Sequence, residues 1–166
     1  ELDVLLASGE QVSCSLLSGA IIDLGLKARS WLGWQIPIIT NDNYTSSQIM
    51  KINTDEILTF ISEGGIAVIA GFQGISRENR ITTLGRGGSD LSAVAIAKFF
   101  KTDSCEIYTD VEGVLTTDPS INEKAKKIDK ISYEEMLEMA SLGAKVVQPY
   151  AVQASMIDNI PIYVKS

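Results

Sequence analysis

The stretch IAVIA at residues 66–70 is five apolar residues with no polar alternation, and GFQG follows at once at 71–74. A strand buried on both faces reads this way, and such strands belong to parallel sheets flanked by helices. The rest of the chain agrees with that frame. Apolar runs give way to glycine turns and then to helix-like spacing, repeatedly. Strands that alternate with helices imply βαβ units. The expected fold is therefore α/β, a three-layer αβα sandwich around a mainly parallel sheet, within one domain.

Residues 2–7 are an apolar run expected as a short buried strand, turned by Ser8-Gly9-Glu10. Leu16, Leu17, Ala20, Ile21 and Leu24 then recur at spacings of three and four, which places a helix over 12–24, ended by Gly25. Residues 27–32 alternate weakly, and Gly33 and Pro37 punctuate them. Short strands are expected at 36–40 and 48–52 around a polar loop. Asn53 or Thr54 caps a helix through Ile57, Leu58, Phe60 and Ile61, closed by Gly64-Gly65. A polar segment, 76–80, leads to TTLGRGGSD at 82–90, followed by a helix over 91–100 that is apolar on most sides. A strand at 104–108 ends in Thr109-Asp110, and a loop follows to Pro119. Ser132 with Glu135 three residues on forms a capping box, Gly143 stops that helix, Pro149 opens another to about Asp158, and a last strand covers 162–164.

The composition excludes several chemistries. There is no histidine among the 166 residues, so no Ser–His–Asp or Cys–His machinery and no imidazole metal site exists in this chain. Cys14 and Cys105 lie far apart, which argues against a thiolate zinc site or a disulfide scaffold and makes a reducing cytoplasm the expected compartment. Both read as buried small hydrophobes. The net charge of −7 argues against a nucleic-acid binder. The apolar runs fall short of the roughly 20 residues a membrane helix needs, and no signal peptide is visible. The chain begins at Glu1 rather than Met, so a segment was removed or the sequence is an internal piece of a longer chain.

In open parallel sheets, ligands sit at the carboxyl ends of strands, which singles out four clusters. Glu10, expected just before a helix, either caps that helix or serves as a carboxylate for an ammonium group. The run TTLGRGGSD is the most specific. Its three glycines let the backbone turn sharply and approach a ligand. The helix start offers N–H groups to an anion, and Arg86 can grip a carboxylate or phosphate bidentately. It is not a phosphate loop of the Walker type, because no Lys-Ser/Thr follows the glycines. Its bland alternative is a capped turn with an exposed arginine. Thr109 and Asp110, with Thr116, Thr117, Asp118 and Pro119 beyond a glycine, fit either ribose, base or hydrated magnesium, or a plain Asx turn. Lys145, between two helices, is either a phosphate's point charge or solvated surface. The lysines at 124, 126, 127 and 130 read as a solvated face. Trp31, Trp34 and Phe72 read as core or interface anchors.

Anion grips and carboxylates without a histidine suit phosphoryl transfer to a carboxylate. That nucleophile is already ionised at pH 7 and needs no general base. It needs positioning, magnesium and positive charge.

The residues also carry a resemblance. AGFQG at 70–74, TTLGRGGSD at 82–90, CEIYTDVEGV at 105–114, TTDP at 116–119 and KISYEEMLEMASLGAKVVQP at 130–149 resemble the aspartate kinases of the amino acid kinase family. SGE at 8–10 and ARSWLGWQ at 28–35 are similar as well. The resemblance implies ATP-dependent phosphorylation of the β-carboxylate of L-aspartate to 4-phospho-L-aspartate, feeding lysine, threonine and methionine synthesis, with ATP and Mg²⁺ as cofactors. It implies that Glu10 holds the substrate ammonium. Arg86 holds a carboxylate, with contacts from Gly87, Gly88 and Ser89. Asp90 orients charged groups of the site. Thr109 and Asp110 meet the nucleotide, Leu115, Thr116, Thr117, Asp118, Pro119 and Ser120 line its pocket, and Lys145 reaches its phosphates. The expected partners are L-aspartate, ATP and a second copy of the chain as a dimer, with no nucleic acid and no membrane.

Several departures from the family are equally plain. Its amino-terminal Lys-Phe-Gly-Gly element and its regulatory ACT domains are absent from this sequence, so 1–166 is expected to be an N-terminally incomplete catalytic domain with little activity by itself. Ser120 stands where the family carries arginine, and Gln48 stands where it carries a basic residue. The alternative readings are another member of the superfamily, like glutamate 5-kinase or uridylate kinase, and a non-catalytic nucleotide-binding or dimerisation module.

Overall fold

A computed structural model describes residues 1–118, 120–143 and 146–166. The chain divides into two compact units, Glu1–Ser92 and Ala93–Ser166.

The first unit opens with α1 (Leu2–Asp23), one unbroken helix of 22 residues. The expected strand at 2–7 and the turn at Ser8-Gly9-Glu10 are therefore corrected. A short apolar run reads alike in a strand and in a helix. Here Val4 is the only β-branched residue in it, and one interior glycine, Gly9, costs a helix only about 1 kcal/mol. The helix is also inverted in polarity. Its inner side buries Asp3, Ala7, Cys14 and Ser18, whereas Leu5, Val12 and Leu16 are 70%, 60% and 69% exposed. By length and composition alone α1 passes as a membrane-crossing segment, longer than the apolar runs suggested. Gly25, at φ 82°, follows its end as expected.

Strands β1 (Ala28–Trp31) and β4 (Ile66–Ile69) pair in parallel. β4 is half-buried, with Ile66 40% exposed, so it is less fully covered than its apolar run predicted. A second sheet has the order β3–β2–β5–β6, with β2 (Ile38–Thr40), β3 (Ile49–Ile52), β5 (Gln73–Ile75) and β6 (Ile81–Thr83). Within it β2 and β5 are parallel, while β2–β3 and β5–β6 are antiparallel. The β5–β6 hairpin was not legible from the polar segment 76–80, because three-residue strands are too short for an alternation to show. Helix α1 packs on β1, β4 and β6, and α2 (Asp55–Ser62) packs on β4. Trp31, Ile57 and Phe60 are buried in this unit, with the Trp31 and Phe60 rings edge-on at 5.9 Å. Trp34, by contrast, is 46% exposed.

Helix α3 (Gly88–Phe100) begins in the first unit and continues into the second. There, β7 (Cys105–Tyr108) and β8 (Ile162–Lys165) pair in parallel. Helices α4 (Tyr133–Ser141) and α5 (Pro149–Asp158) share a core with them that includes Val94, Ile107, Met136, Val152 and Ile160. The capping box forms as the sequence predicts. Ser132 Oγ accepts from the Glu135 N–H at 3.2 Å, and Glu135 Oε2 accepts from the Ser132 N–H at 3.0 Å.

Candidate active site

Strand β6 ends at Thr83, and the glycine-rich run turns the chain into α3 within four residues. Gly85 and Gly87 sit at φ 79° and 74° on either side of Arg86. That conformation costs residues with a Cβ roughly 1–2 kcal/mol. Gly88 is needed for a different reason: a Cβ there would lie 2.7 Å from the Phe72 ring and 3.0 Å from Leu84 Cβ. The three glycines thus let a side chain be presented on a tight turn at the amino end of a 13-residue helix, where backbone N–H groups lack helical partners. Arg86 and Ser89 are exposed there, and Asp90 is half-buried. Among the described residues Arg86 forms no salt bridge.

Phe72 supports this turn. It has φ 64°, rare for an aromatic residue. Its N–H donates to Ser92 Oγ at 2.8 Å, and the Ser92 hydroxyl donates to Gly88 O at 2.7 Å. The Leu84 N–H in turn donates to Phe72 O at 3.0 Å. Strained residues held by their surroundings cluster at functional sites. Phe72 is therefore part of the support of the turn, a role its apolar character did not announce.

Glu10 stands in the middle of α1, half-buried, and so cannot cap a helix start. Its neighbour Gln11 donates an amide N–H to Gln73 Oε1 at 3.2 Å, and Gln73 Nε2 donates to Ala7 O at 3.3 Å. Gln73 is the register partner of Thr83, three residues before Arg86. The structure thereby ties the Glu10 segment of α1 to the hairpin that launches the glycine-rich run. Among the described residues Glu10, too, forms no salt bridge. One turn on, the Cys14 thiol donates to Val68 O at 3.0 Å. Burial pushes its pKa up, a hydrogen bond with the Trp31 backbone opposes this, and the charge of Glu10 adds to it. Cys14 therefore stays a thiol and is no nucleophile.

In the second unit, Thr109 and Asp110 sit just past the carboxyl end of β7. The Thr109 N–H donates to Lys165 O at 2.9 Å, and its hydroxyl lies 3.2 Å from Asp110 Oδ1. Leu115 bridges Lys127, while Thr116 exchanges hydrogen bonds with Lys126 at 2.9 and 3.0 Å. Asp118 Oδ1 accepts from both the N–H and the hydroxyl of Ser120, at 2.8 and 2.6 Å, which is the Asx-turn arrangement. Ser120 thus helps fold the loop at the position where the resemblance expects a cation. Pro119 and Lys145 lie outside the described residues. The lysines at 124, 126, 127 and 130 are exposed, as expected.

The hydrogen bonds by which Asp3, Phe72 and Ser92 hold the strand end and the turn were not visible in the sequence. Each acts through partners 20 or more positions away, which no local spacing reveals.

Comparison with known proteins agrees with these elements. The model of the amino acid kinase family matches residues 1–166. The aspartokinase of Geobacillus stearothermophilus is 49% identical over 166 residues, which is all of this chain and 41% of that protein. Escherichia coli aspartokinase III, solved in complex with aspartate and ADP, superposes with a TM-score of 0.91 at 32% identity, over 99% of this chain and 37% of that one. The aspartate kinase of Synechocystis superposes at 0.85 with 46% identity, over 100% of this chain and 27% of that one. The chain therefore spans about two fifths or less of the proteins it matches. The fold class is accordingly α/β, the αβα sandwich of that family, with a sheet that mixes parallel and antiparallel pairing. On this family match and these likenesses, the chain belongs to the amino acid kinase family and is similar along its whole length to aspartokinases.

Proposed function

We propose that this chain forms the main part of an aspartate kinase catalytic domain. In this reading an oxygen of the aspartate β-carboxylate attacks the γ-phosphorus of ATP, the bond from that phosphorus to the β,γ-bridging oxygen breaks, and ADP leaves. The observation that carries it is Arg86, presented without an ion-pair partner among the described residues between two left-handed glycines at the start of α3. An arginine held so is built to meet an incoming carboxylate bidentately. Glu10 would hold the substrate ammonium, and Gly87, Gly88 and Ser89 would supply backbone or hydroxyl contacts. Asp90 would orient the charged groups around it. Thr109, Asp110 and the loop from Leu115 to Ser120 would meet the nucleotide, and Lys145 its phosphates.

No residue is needed as a general base, because the acceptor carboxylate is ionised at neutral pH. That accords with a chain without histidine. Among the described residues no three of His, Cys, Asp and Glu gather into a metal-binding group. This donor set fits magnesium carried on the nucleotide, since Mg²⁺ takes most of its ligands from phosphates and water. Asp110 and Asp118 would face its water shell. Bound there, the ion would neutralise charge on the transferring phosphoryl group.

The test is an acceptor panel with the whole protein, ATP and Mg²⁺, reading ADP release and trapping the acyl phosphate with hydroxylamine. Aspartate-dependent release with hydroxamate formation is expected. Turnover on glutamate or a nucleoside monophosphate, with none on aspartate, would refute the assignment.

A further inference from the structure

Asp3 is 2% exposed at the first turn of α1, an unusual place for an acidic residue. Its Oδ2 accepts two backbone N–H groups, from Thr45 at 2.9 Å and from Thr83 at 2.8 Å. These donors belong to different segments. Thr45 is in the loop between β2 and β3 and holds φ 64°. Thr83 closes β6 three residues before Arg86, and its carbonyl accepts both the N–H and the hydroxyl of Ser47 at 2.9 and 3.0 Å. The same loop abuts the glycine-rich run, since a Cβ on Gly85 would lie 3.1 Å from Thr45 O. One carboxyl oxygen thus joins α1, the 41–47 loop and the base of the Arg86 turn.

The partner of this joint along the helix is Glu10. It follows Asp3 by seven residues, two turns of helix, so both lie on one face about 10 Å apart along the axis. Helix α1 meets the hairpin through polar contacts, Asp3 to Thr83 and Gln11 to Gln73, while its large apolar residues Leu5, Val12 and Leu16 are exposed. Hydrogen bonds fix direction and distance, whereas apolar packing tolerates sliding. We infer that Asp3 is a positioning residue. It sets the separation between Glu10 and Arg86, and hence the fit of a substrate that carries an ammonium and a carboxylate on one carbon. The inference rests on the aspartate kinase reading above and adds to it a residue that touches no substrate.

The experiment measures steady-state kinetics of the whole protein and its Asp3→Asn and Asp3→Ala variants, each alone and combined with Glu10→Gln. Asparagine keeps an oxygen for the two N–H donors at nearly the same place, whereas alanine removes it. Misplacement by about 1 Å can cost a site up to roughly 100-fold. The expected result is that Asp3→Ala raises the KM for aspartate by about tenfold or more, with the KM for ATP within about twofold, and that Asp3→Asn recovers most of the loss. In the Glu10→Gln background the effect of Asp3→Ala on aspartate should shrink, because the group being positioned is gone. Should Asp3→Ala not fold, Asp3→Asn carries the test through a smaller rise confined to aspartate. Variants that unfold more easily but keep both KM values, or effects additive with Glu10→Gln, would overturn the positioning role. A wild-type protein with no turnover on aspartate would overturn the kinase reading and this inference with it, whereas wild-type turnover with indifferent Asp3 variants would overturn this inference alone.

Discussion

Replacing Arg86 by alanine should separate activity from stability. The side chain is exposed, forms no salt bridge among the described residues, and stands on a turn whose shape is set by Gly85 and Gly87 at φ 79° and 74°. Its loss leaves no described group without a partner, so the folding free energy should change by no more than about 0.5 kcal/mol. The kinase reading assigns it two charge-assisted hydrogen bonds to a substrate carboxylate. Such bonds contribute roughly 1.5–3 kcal/mol each and are not fully additive. A total near 3–4 kcal/mol is a fall of roughly 100- to 1,000-fold in kcat/KM. Arg86→Lys keeps the charge but not the planar fork, and should recover about half of that free energy. A coupled ADP-release assay with aspartate varied, run beside urea denaturation of the same preparations, reads both quantities. The reasoning fails if Arg86→Ala keeps kcat/KM within about threefold of wild type. It fails equally if the urea midpoint drops in step with activity, since Arg86 would then be a structural residue.

Three further outcomes follow from the geometry. Gly85→Ala should destabilise the whole protein by about 1–2 kcal/mol, from its left-handed backbone and the crowding of Thr45 O, and an unchanged urea midpoint would contradict this. Ser92→Ala removes the acceptor of the Phe72 N–H at a site 1% exposed, which should cost about 1–3 kcal/mol, and a loss too small to measure in guanidinium would show that the bond is dispensable. Ser132→Ala should cost about 1 kcal/mol through loss of the helix cap. The Ser132 N–H, and after it the Ser132 hydroxyl, hold the Glu135 carboxyl below its ordinary range. Its contribution is therefore complete above about pH 4.3 and is lost as pH falls through the lowered value. Urea midpoints between pH 2 and 6 should decline less steeply in Ser132→Ala than in wild type, and parallel curves would remove this cause.

What could be read along the chain is what acts over a few residues. The Ser132–Glu135 box, Pro149 at the start of α5, and the positive φ of Gly25, Gly64 and Gly143 all follow from backbone sterics and from hydrogen bonds that close within one turn. The glycine-rich run announced itself for the same reason, because its three glycines answer to local φ and to close approach. The placement of Arg86 at the head of α3 was thus legible, as was the position of Thr109 and Asp110 beyond a strand.

The apolar run at 2–7 shows where that legibility stops. Local pattern could not choose between strand and helix, and apolar residues were expected inside. Tertiary contact decided both questions. α1 turns Asp3, Gln11 and Cys14 toward the strands because Thr83, Gln73 and Val68 offer them hydrogen-bond partners. A buried polar group is tolerated only where such partners exist, and these lie 80, 62 and 54 positions away. The sequence by itself therefore determined the alternating α/β character, the helix ends and the turn that presents Arg86, since these depend on neighbours in the chain. The helical state of residues 2–10, the inverted face of α1 and the joint at Asp3 were decided by the tertiary structure, since they depend on partners that only the folded chain brings within hydrogen-bond distance.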